Sequence, residues 1–323
     1  MTAYRSPFWL PDGHTQTIYP LLIKPSPPPY RRERWETPDG DFIDLDWNHP
    51  SPATSASHSS PVLVLFHGLE GSSGSHYAIS LMRAAVAIGW TGVVVNFRGC
   101  SGEINRLPRA YHSGDSAEID WILQRLRQRF PQRLRYAVGV SLGGNALLKW
   151  LGERETAAGT CLQAAAAISA PLDLSASGHH LGCGFNRLYS RHFLHTLKRK
   201  AAAKLRLHPG LFDAQRLRAA NSLYAFDDLV TAPLHGFAGA EDYWRRASSK
   251  PWLNGIRLRT LLLNARNDPF IPARVLPSPG QAGASVLLEF PLQGGHVGFV
   301  AGHPPGRLDW LPHRILHFFR HEV

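Results

Sequence analysis

Short apolar runs alternate with helix-like segments through most of this chain, and this rhythm restricts the folds that it can adopt. Continuous apolar runs are typical of strands that are buried on both faces of a sheet. They lie at residues 62–66, 92–97, 134–140, 164–169, 259–264 and 285–290. Helical patterns lie at residues 77–88, 115–130, 142–151 and 308–319. This order predicts an α/β fold, a mostly parallel twisted sheet flanked by helices, with functional residues at the carboxyl ends of its strands.

Four regions follow one another along the chain. They are an N-terminal arm and antiparallel hairpin (1–55), the first part of the α/β core (56–173), an insertion (174–250) and the second part of the core (251–323). The arm is rich in proline and aromatic residues, so we expect it to be extended. The hairpin is predicted from the turn sequence Pro38-Asp39-Gly40 between two apolar-containing runs.

The insertion at residues 174–250 contains no buried strand pattern, but apolar residues recur at helical spacing from Leu194 to Leu205. A structureless loop of this length would be unusual inside a compact domain. We therefore predict a mainly helical cap over the sheet edge. Between Asp173 and Asp213 this cap contains no acidic residue and several basic ones.

The composition limits the environment in which the chain works. Hydrophobic residues make up 44% and charged residues 18%, which is enough apolar material for a large core. The apolar runs are far shorter than the ~18 residues that a membrane span needs, and the first residues lack a signal-peptide pattern. The three cysteines are scattered, which favours a reducing, cytoplasmic location without disulfide bonds.

The net charge of +11 predicts a surface that attracts anions. The chain has neither zinc-finger spacing nor an aromatic RNA-binding motif, so we do not expect nucleic acid as a partner. Contact between the basic cap and an anionic membrane remains an alternative. The oligomeric state does not follow from the sequence.

The motif that most clearly indicates chemistry is Gly139-Val140-Ser141-Leu142-Gly143-Gly144. It follows a predicted buried strand and precedes a predicted helix, which is the context of a nucleophile elbow. In such a turn the glycines avoid steric clashes while the chain reverses direction. The central residue, Ser141, would then stand exposed at the sheet edge, at the start of a helix that favours negative charge.

A second turn, His67-Gly68-Leu69-Glu70-Gly71, directly follows the strand at 62–66. In hydrolases with a nucleophile elbow, this turn and the residue after the nucleophile each supply one N–H group to an oxyanion hole. These donors would be Leu69 and Leu142. Gly68 would allow the substrate oxygen to come close, and we expect His67 to brace the turn rather than act as the base. Gly68 and His67 are also candidates for the lining of the site.

A serine hydroxyl needs a general base, and the base needs a partner that orients it. The expected chain order is Ser, acid and then His. Asp268 and His296 follow predicted strands and satisfy this order, so they are the candidate acid and base. Asp173 is the rival acid and His303 the rival base.

Two further histidines are candidates for the lining of the site. His112 precedes a predicted helix, and His14 lies in the arm. No metal or organic cofactor is required by this chemistry, and none is expected. Haloalkane or epoxide chemistry is disfavoured because it needs an aspartate nucleophile where Ser141 stands.

The chain resembles the YheT-like family of the α/β-hydrolase superfamily over nearly its whole length. The stretches that carry the resemblance are Gly13-His-Thr-Gln-Thr-Ile18, Pro38-Asp-Gly-Asp-Phe42, Phe66-His-Gly-Leu-Glu-Gly-Ser-Ser73, Asn96-Phe-Arg-Gly-Cys-Ser-Gly-Glu103, Tyr111-His-Ser-Gly-Asp115, Gly139-Val-Ser-Leu-Gly-Gly-Asn145 and Phe226-Asp-Asp-Leu-Val-Thr-Ala-Pro233.

This resemblance implies an α/β-hydrolase fold and a Ser-Asp-His triad made of Ser141, Asp268 and His296. It also implies hydrolysis of carboxylic esters, often with short- to medium-chain acyl groups. The small-molecule or lipid ester is the implied partner. The alternatives are acyl transfer to an alcohol, and lipid or phospholipid ester hydrolysis at an anionic membrane surface.

Overall fold

An eight-stranded sheet organises the protein in the computed structural model, which describes residues 3–50 and 60–323. The strands are β1 (Arg31–Glu36), β2 (Phe42–Asn48), β3 (Val62–Phe66), β4 (Thr91–Asn96), β5 (Arg135–Val140), β6 (Ala164–Ile168), β7 (Thr260–Leu263) and β8 (Val286–Glu289). Their order across the sheet is β1-β2-β4-β3-β5-β6-β7-β8. β1 pairs antiparallel with β2, and β2 pairs antiparallel with β4. All other pairs are parallel, which confirms the predicted mostly parallel sheet.

Eleven α-helices accompany the sheet within the described residues. They are α1 (Gly13–Ile18), α2 (His76–Ala87), α3 (Ser116–Arg129), α4 (Leu142–Arg154), α5 (Leu174–Leu181), α6 (Arg187–Leu207), α7 (Ala214–Ala219), α8 (Leu223–Phe226), α9 (Ala232–Leu234), α10 (Ala240–Ala247) and α11 (Trp310–His321). A π-helical turn, Asp227–Thr231, joins α8 to α9.

Helices cover both faces of the sheet because its central strands are apolar on both sides. Val64 of β3 packs in the cluster that contains α3 and α4 residues. Its neighbour Leu65 packs in the cluster that contains α2 and α11 residues. Successive side chains of a strand point to opposite faces, so a continuously apolar strand requires cover on each face. This three-layer arrangement brings the carboxyl ends of the parallel strands to one edge.

The segment between β6 and β7 forms the predicted helical cap. It contains α5 to α10 and has a small apolar core of its own, which includes Leu194, Leu217, Phe226 and Val230. A cluster of this kind stabilises the cap as a packed unit above the sheet edge.

The N-terminal arm differs from the extended conformation that we predicted, because it contains helix α1. The Asp12 side chain accepts hydrogen bonds from the backbone N–H groups of His14 and Thr15 and so caps this helix. An aspartate cap satisfies N–H groups that a helix start leaves without partners. This local capping, together with contacts described below, favours a helix where proline content suggested an extended chain.

Arg98 connects the hairpin to the core below the site. Its guanidinium is buried and lies 2.6 Å from a Glu118 carboxylate oxygen, 2.8 Å from Asp39 and 3.1 Å from Asp41. Buried charges of this kind are tolerated when each has an opposite partner. Arg98 therefore links the β1–β2 turn to the first turn of α3.

We expect the Arg98→Met variant to lose about 3–5 kcal/mol of unfolding free energy, because buried carboxylates would lose their cation. The matched control is Arg106→Met, whose partner Glu36 is exposed, and its denaturation midpoint should stay close to that of the wild type. Urea denaturation followed by tryptophan fluorescence checks both. Equal midpoints for the two variants would contradict this account of Arg98.

Candidate active site

Three side chains from distant parts of the sequence form one hydrogen-bonded line at the carboxyl edge of the sheet. The Nε2 atom of His296 lies 3.0 Å from Ser141 Oγ, and its Nδ1 atom lies 2.8 Å from Asp268 Oδ2. The Asp268 carboxylate is fully buried, whereas the His296 side chain keeps 11% of its exposure. In this arrangement Nδ1–H donates to the carboxylate, and Nε2 is available to accept the serine proton.

Ser141 stands in a tight turn between β5 and α4. Its backbone is in the left-handed region, with φ of 53°, and its N–H donates to the Ile168 carbonyl at 2.8 Å. A Cβ atom at Gly143 would lie 2.4 Å from the Phe66 carbonyl oxygen. The turn can therefore approach β3 only because glycine occupies this position.

The loops after β7 and β8 carry the other two members of the line. Asp268 follows β7, and its Oδ1 atom accepts the Phe270 backbone N–H at 2.8 Å. The Phe270 ring stacks on the His296 imidazole with 4.1 Å between ring centres. The hydrogen bond orients the Asp268 carboxylate so that its other oxygen faces His296. The Phe270 ring covers one face of the imidazole.

The turn after β3 lies directly beside the serine. A Cβ atom at Gly68 would stand 3.1 Å from Ser141 Cβ and 3.6 Å from Ser141 Oγ. Leu69 and Leu142, the predicted oxyanion donors, both line the cavity that contains Ser141 and His296.

His67 braces this turn, as predicted, and both His67 and Gly68 lie outside the cavity lining, contrary to their place among the candidate lining residues. Its Nδ1–H donates to the Gly68 carbonyl at 2.7 Å, and its Nε2 accepts the Phe97 backbone N–H at 3.1 Å. Complete burial lowers the pKa of His67 to about 4. It is therefore a neutral brace whose two ring nitrogens are both used.

An ion pair connects the cap to the same turn. The Lys200 ammonium of α6 lies 2.8 Å from a Glu70 carboxylate oxygen, and the Tyr111 hydroxyl donates to the same oxygen at 2.9 Å. The Tyr111 oxygen also accepts the Glu70 backbone N–H. Lys200 also lies 3.2 Å from Cys100 Sγ, and burial raises the pKa of that thiol to about 11, which keeps it protonated.

The cavity above Ser141 encloses about 170 Å³ and has mainly apolar walls. The cap supplies most of them, and the apolar cap residues are Leu174, Leu181, Phe193, Leu197, Ala201, Phe212, Leu223, Phe226, Val230, Leu234 and Trp244. A long, flexible apolar group would lose its contact with water in such a space. The walls therefore match an acyl chain better than a strongly polar ligand.

The remaining predicted residues lie in different places. His112 lines the cavity, and burial lowers its pKa to about 4. His14 lies outside the lining, and its Nδ1 contacts the Tyr189 hydroxyl of α6 at 3.1 Å, because the arm helix packs against the cap. Asp173, the rival acid, caps α5 by accepting the Ala176 N–H, and His303 is exposed.

Two residues that support the site were not predicted from the sequence. Phe270 and Lys200 were not singled out for contact with His296 and Glu70. The position of Phe270, two residues after Asp268, is a signal that could have suggested it. For Lys200 the sequence contains no such signal, because 130 residues separate it from Glu70. Within residues 3–50 and 60–323, groups of three or more side chains arranged to hold a metal ion do not occur.

We expect Gly143→Ala to destabilise the protein by about 1–3 kcal/mol, because the added methyl group would overlap the Phe66 and His67 carbonyls. Gly159→Ala is the matched control, since an added Cβ there meets no atom within 4 Å among the described residues. It should change the unfolding free energy by less than about 0.5 kcal/mol. Chemical denaturation of both variants measures the difference, and a Gly143 variant as stable as the control would refute the close-approach argument.

Known proteins share both the sequence and the fold of this chain. A family model for the α/β-hydrolase fold matches residues 61–302. The chain is 43% identical to YheT of Escherichia coli (strain K12), whose name provisionally calls it an esterase, over 94% of this chain and 88% of that protein. It is 30% identical to human phospholipase ABHD3, over 96% of this chain and 76% of that protein.

Solved structures with little sequence identity to this chain have the same fold. The Pyrococcus furiosus esterase Pf2001 superposes with a TM-score of 0.58 at 13% identity, with 90% of each chain covered, which reflects the shared fold. The resemblance to the YheT-like family is therefore confirmed by sequence identity over almost the full chain and by the family model. This chain belongs to the YheT-like branch of the α/β-hydrolase family.

Proposed function

We propose that this protein hydrolyses carboxylic esters by acyl transfer through Ser141, with His296 as general base and Asp268 as its orienting acid. The observation that carries the proposal is the continuous hydrogen-bonded line from Ser141 Oγ to Asp268 Oδ2 at the floor of an apolar cavity. The names of the relatives, an esterase and a phospholipase, support ester hydrolysis as the reaction class.

The reaction proceeds in two steps that use the same groups. His296 takes the Ser141 proton while the serine oxygen attacks the ester carbonyl, and the N–H groups of Leu69 and Leu142 donate to the resulting oxyanion. His296 then gives the proton to the leaving alcohol, and an acyl-enzyme remains. Water, activated by His296, attacks the acyl-enzyme, and the acid leaves as Ser141 recovers its proton.

The apolar cavity walls support a class of substrate within this proposal. Apolar side chains of the cap surround the space next to Ser141, so the acyl group binds there and the ester carbonyl reaches the oxyanion donors. The family resemblance implies short- to medium-chain acyl groups, and these are the groups that we propose for this cavity. Simple and lipid esters of this length are therefore the proposed substrates.

We expect Ser141→Ala to abolish hydrolysis of a p-nitrophenyl ester series, with a fall in kcat of at least about 10⁴-fold. The control is Ser175→Ala, a serine of the cap helix α5 that lies outside the cavity lining, which should retain the wild-type rate. A serine-directed fluorophosphonate should label the wild type and the control but not Ser141→Ala. Retained activity in Ser141→Ala would overturn the proposal.

Adding a competing alcohol, with analysis of the acyl products, separates hydrolysis from acyl transfer.

The two candidate acids can be distinguished by paired substitutions. Asp268→Asn should lower kcat by about 10⁴-fold, because an amide cannot stabilise the His296 imidazolium or hold its tautomer. Asp173→Asn should keep kcat within a fewfold of the wild type, since Asp173 caps α5 and an asparagine caps nearly as well. Steady-state kinetics of both variants decides between them, and the reverse ranking would assign the acid to Asp173.

A second candidate function, action at an anionic membrane surface, is favoured by an exposed apolar patch with basic neighbours. We define the arm–cap patch as Ile18, Leu21, Leu22, Phe185 and Leu188, all of which are exposed to solvent. The His14 and Phe185 rings, 4.7 Å apart, join its two segments. Three exposed basic residues, Lys24, Arg187 and Arg191, lie within three positions of a patch residue along the chain. Apolar side chains flanked by cations favour binding to anionic lipid interfaces.

We expect the protein to sediment with vesicles that contain phosphatidylglycerol, and less so with pure phosphatidylcholine, because the basic residues need anionic lipid. Raising the salt concentration to roughly 0.5 M should weaken binding, because salt screens the attraction between basic residues and anionic lipid. Phe185→Ser combined with Leu188→Ser should also weaken it, whereas Leu292→Ser, an exposed leucine outside the patch, should not. Absence of sedimentation at low salt would rule out this second function.

All helices in the described part of the chain are too short or too polar to cross a bilayer.

A further inference from the structure

Helix α1 of the arm packs its backbone directly against both loops that carry the proposed acid and base. A Cβ atom at Gly13 would lie 2.0 Å from the Asn267 carbonyl oxygen, next to Asp268. A Cβ atom at Gly298 would lie 2.0 Å from the Gln16 carbonyl oxygen. Each of these two backbone contacts requires a glycine, Gly13 in the arm and Gly298 in the loop. The arm and the two loops therefore form one tightly packed unit.

The Gln16 side chain joins the two loops to each other. It is completely buried, and its Oε1 atom accepts the Gly294 backbone N–H at 2.8 Å and the Asn267 Nδ2–H at 3.1 Å. Its Nε2 atom donates to Ser6 Oγ and to the Leu10 carbonyl, both at 2.6 Å. All its donors and acceptors are used, which fixes the orientation of the amide.

Thr17 contacts the base itself through the backbone. Its hydroxyl donates to the Gly13 carbonyl at 2.6 Å and accepts the His296 backbone N–H at 2.9 Å. Asn267 adds a third link, because its Oδ1 atom accepts the Gly295 backbone N–H at 3.0 Å. The segment from Gly294 to His296 is thus held by three hydrogen bonds that come from the arm and from the acid turn.

The loop that these bonds hold is strained. Val297 and Phe299 have φ of 59° and 43°, in the left-handed region that side chains disfavour. For a β-branched residue such as Val297 this conformation is a marked outlier. Strained backbone persists only where surrounding contacts fix it. The Val297 N–H donates to Ser169 Oγ at 3.1 Å, and the arm supplies the contacts on the other side of the loop.

We infer that Gln16 and Thr17 are positioning residues, which hold the His296 and Asp268 loops at the distance that the proton transfer from Ser141 requires. This inference rests on the proposed function. Gln16 and Thr17 lie outside the residues that line the cavity. They therefore act on the alignment of His296 and not on substrate binding, so their loss lowers kcat while KM is unchanged.

The central test is Thr17→Val, which keeps the shape of the side chain and removes the oxygen that accepts the His296 N–H. We expect kcat for a p-nitrophenyl ester to fall about 10–100-fold, as expected for a misplacement of about 1 Å, with KM within about twofold of the wild type. Thr17→Ser keeps the hydroxyl and should restore kcat. Thr15→Val, in the same helix but exposed and bonded only to Asp12, should keep the wild-type kinetics.

The outcomes separate this inference from the proposed function. A folded Thr17→Val protein with wild-type kcat, a rise in KM alone, or a loss that Thr17→Ser does not restore would each overturn the positioning role. If Thr17→Val does not fold, Thr17→Ala applies the same test, because it also removes the oxygen that accepts the His296 N–H, and wild-type kcat in that variant would also overturn the positioning role. Ser141→Ala is measured alongside. Activity in that variant would refute the proposed function, whereas inactivity together with wild-type kcat in Thr17→Val refutes only the positioning role.

Discussion

The close approach of the Ser141 turn to the turn after β3 is the contact on which the rest of the site depends. Gly143 lies so near the Phe66 and His67 carbonyls that only a hydrogen atom fits between them. This contact places Ser141 beside Gly68 and faces Leu69 and Leu142 into one cavity. The parallel register of β3 and β5, in which Phe66 pairs with Gly139, makes the approach geometrically available.

Backbone strain is concentrated at the same edge of the sheet. Six described residues other than glycine have positive φ, and five of them lie in turns around the site; those five are Glu70, Ser141, Ser169, Val297 and Phe299. Each such conformation costs of the order of 1–3 kcal/mol and needs support from its surroundings. Here the support comes from three directions, namely the core below, the cap through Lys200 and the arm through Gln16 and Thr17.

Much of the fold and the main candidate residues could be predicted from the sequence because their signals are local. The buried strands, the flanking helices and the turn around Ser141 each depend on residues within about ten positions of one another. The helical cap was predicted from helical spacing, from the absence of a buried strand pattern and from the length of the segment. The arm was predicted wrongly as extended, because the Asp12 cap and the contacts that favour α1 were not recognised behind the proline content. His14 was expected near the cavity but packs on the cap, whereas His67 braces its turn as predicted and only its possible lining role is absent.

By itself, the sequence determined the order of elements, the elbow that presents Ser141 and a short choice of acids and bases at the sheet edge. These features follow from periodicity and from glycine positions, which act over a few residues. Only the tertiary structure decided that Asp268 faces His296 while Asp173 caps a helix, that Lys200 reaches Glu70, and that Gln16 joins two loops. Such contacts join residues up to 278 positions apart, and their distances depend on how whole layers pack, which no local pattern encodes.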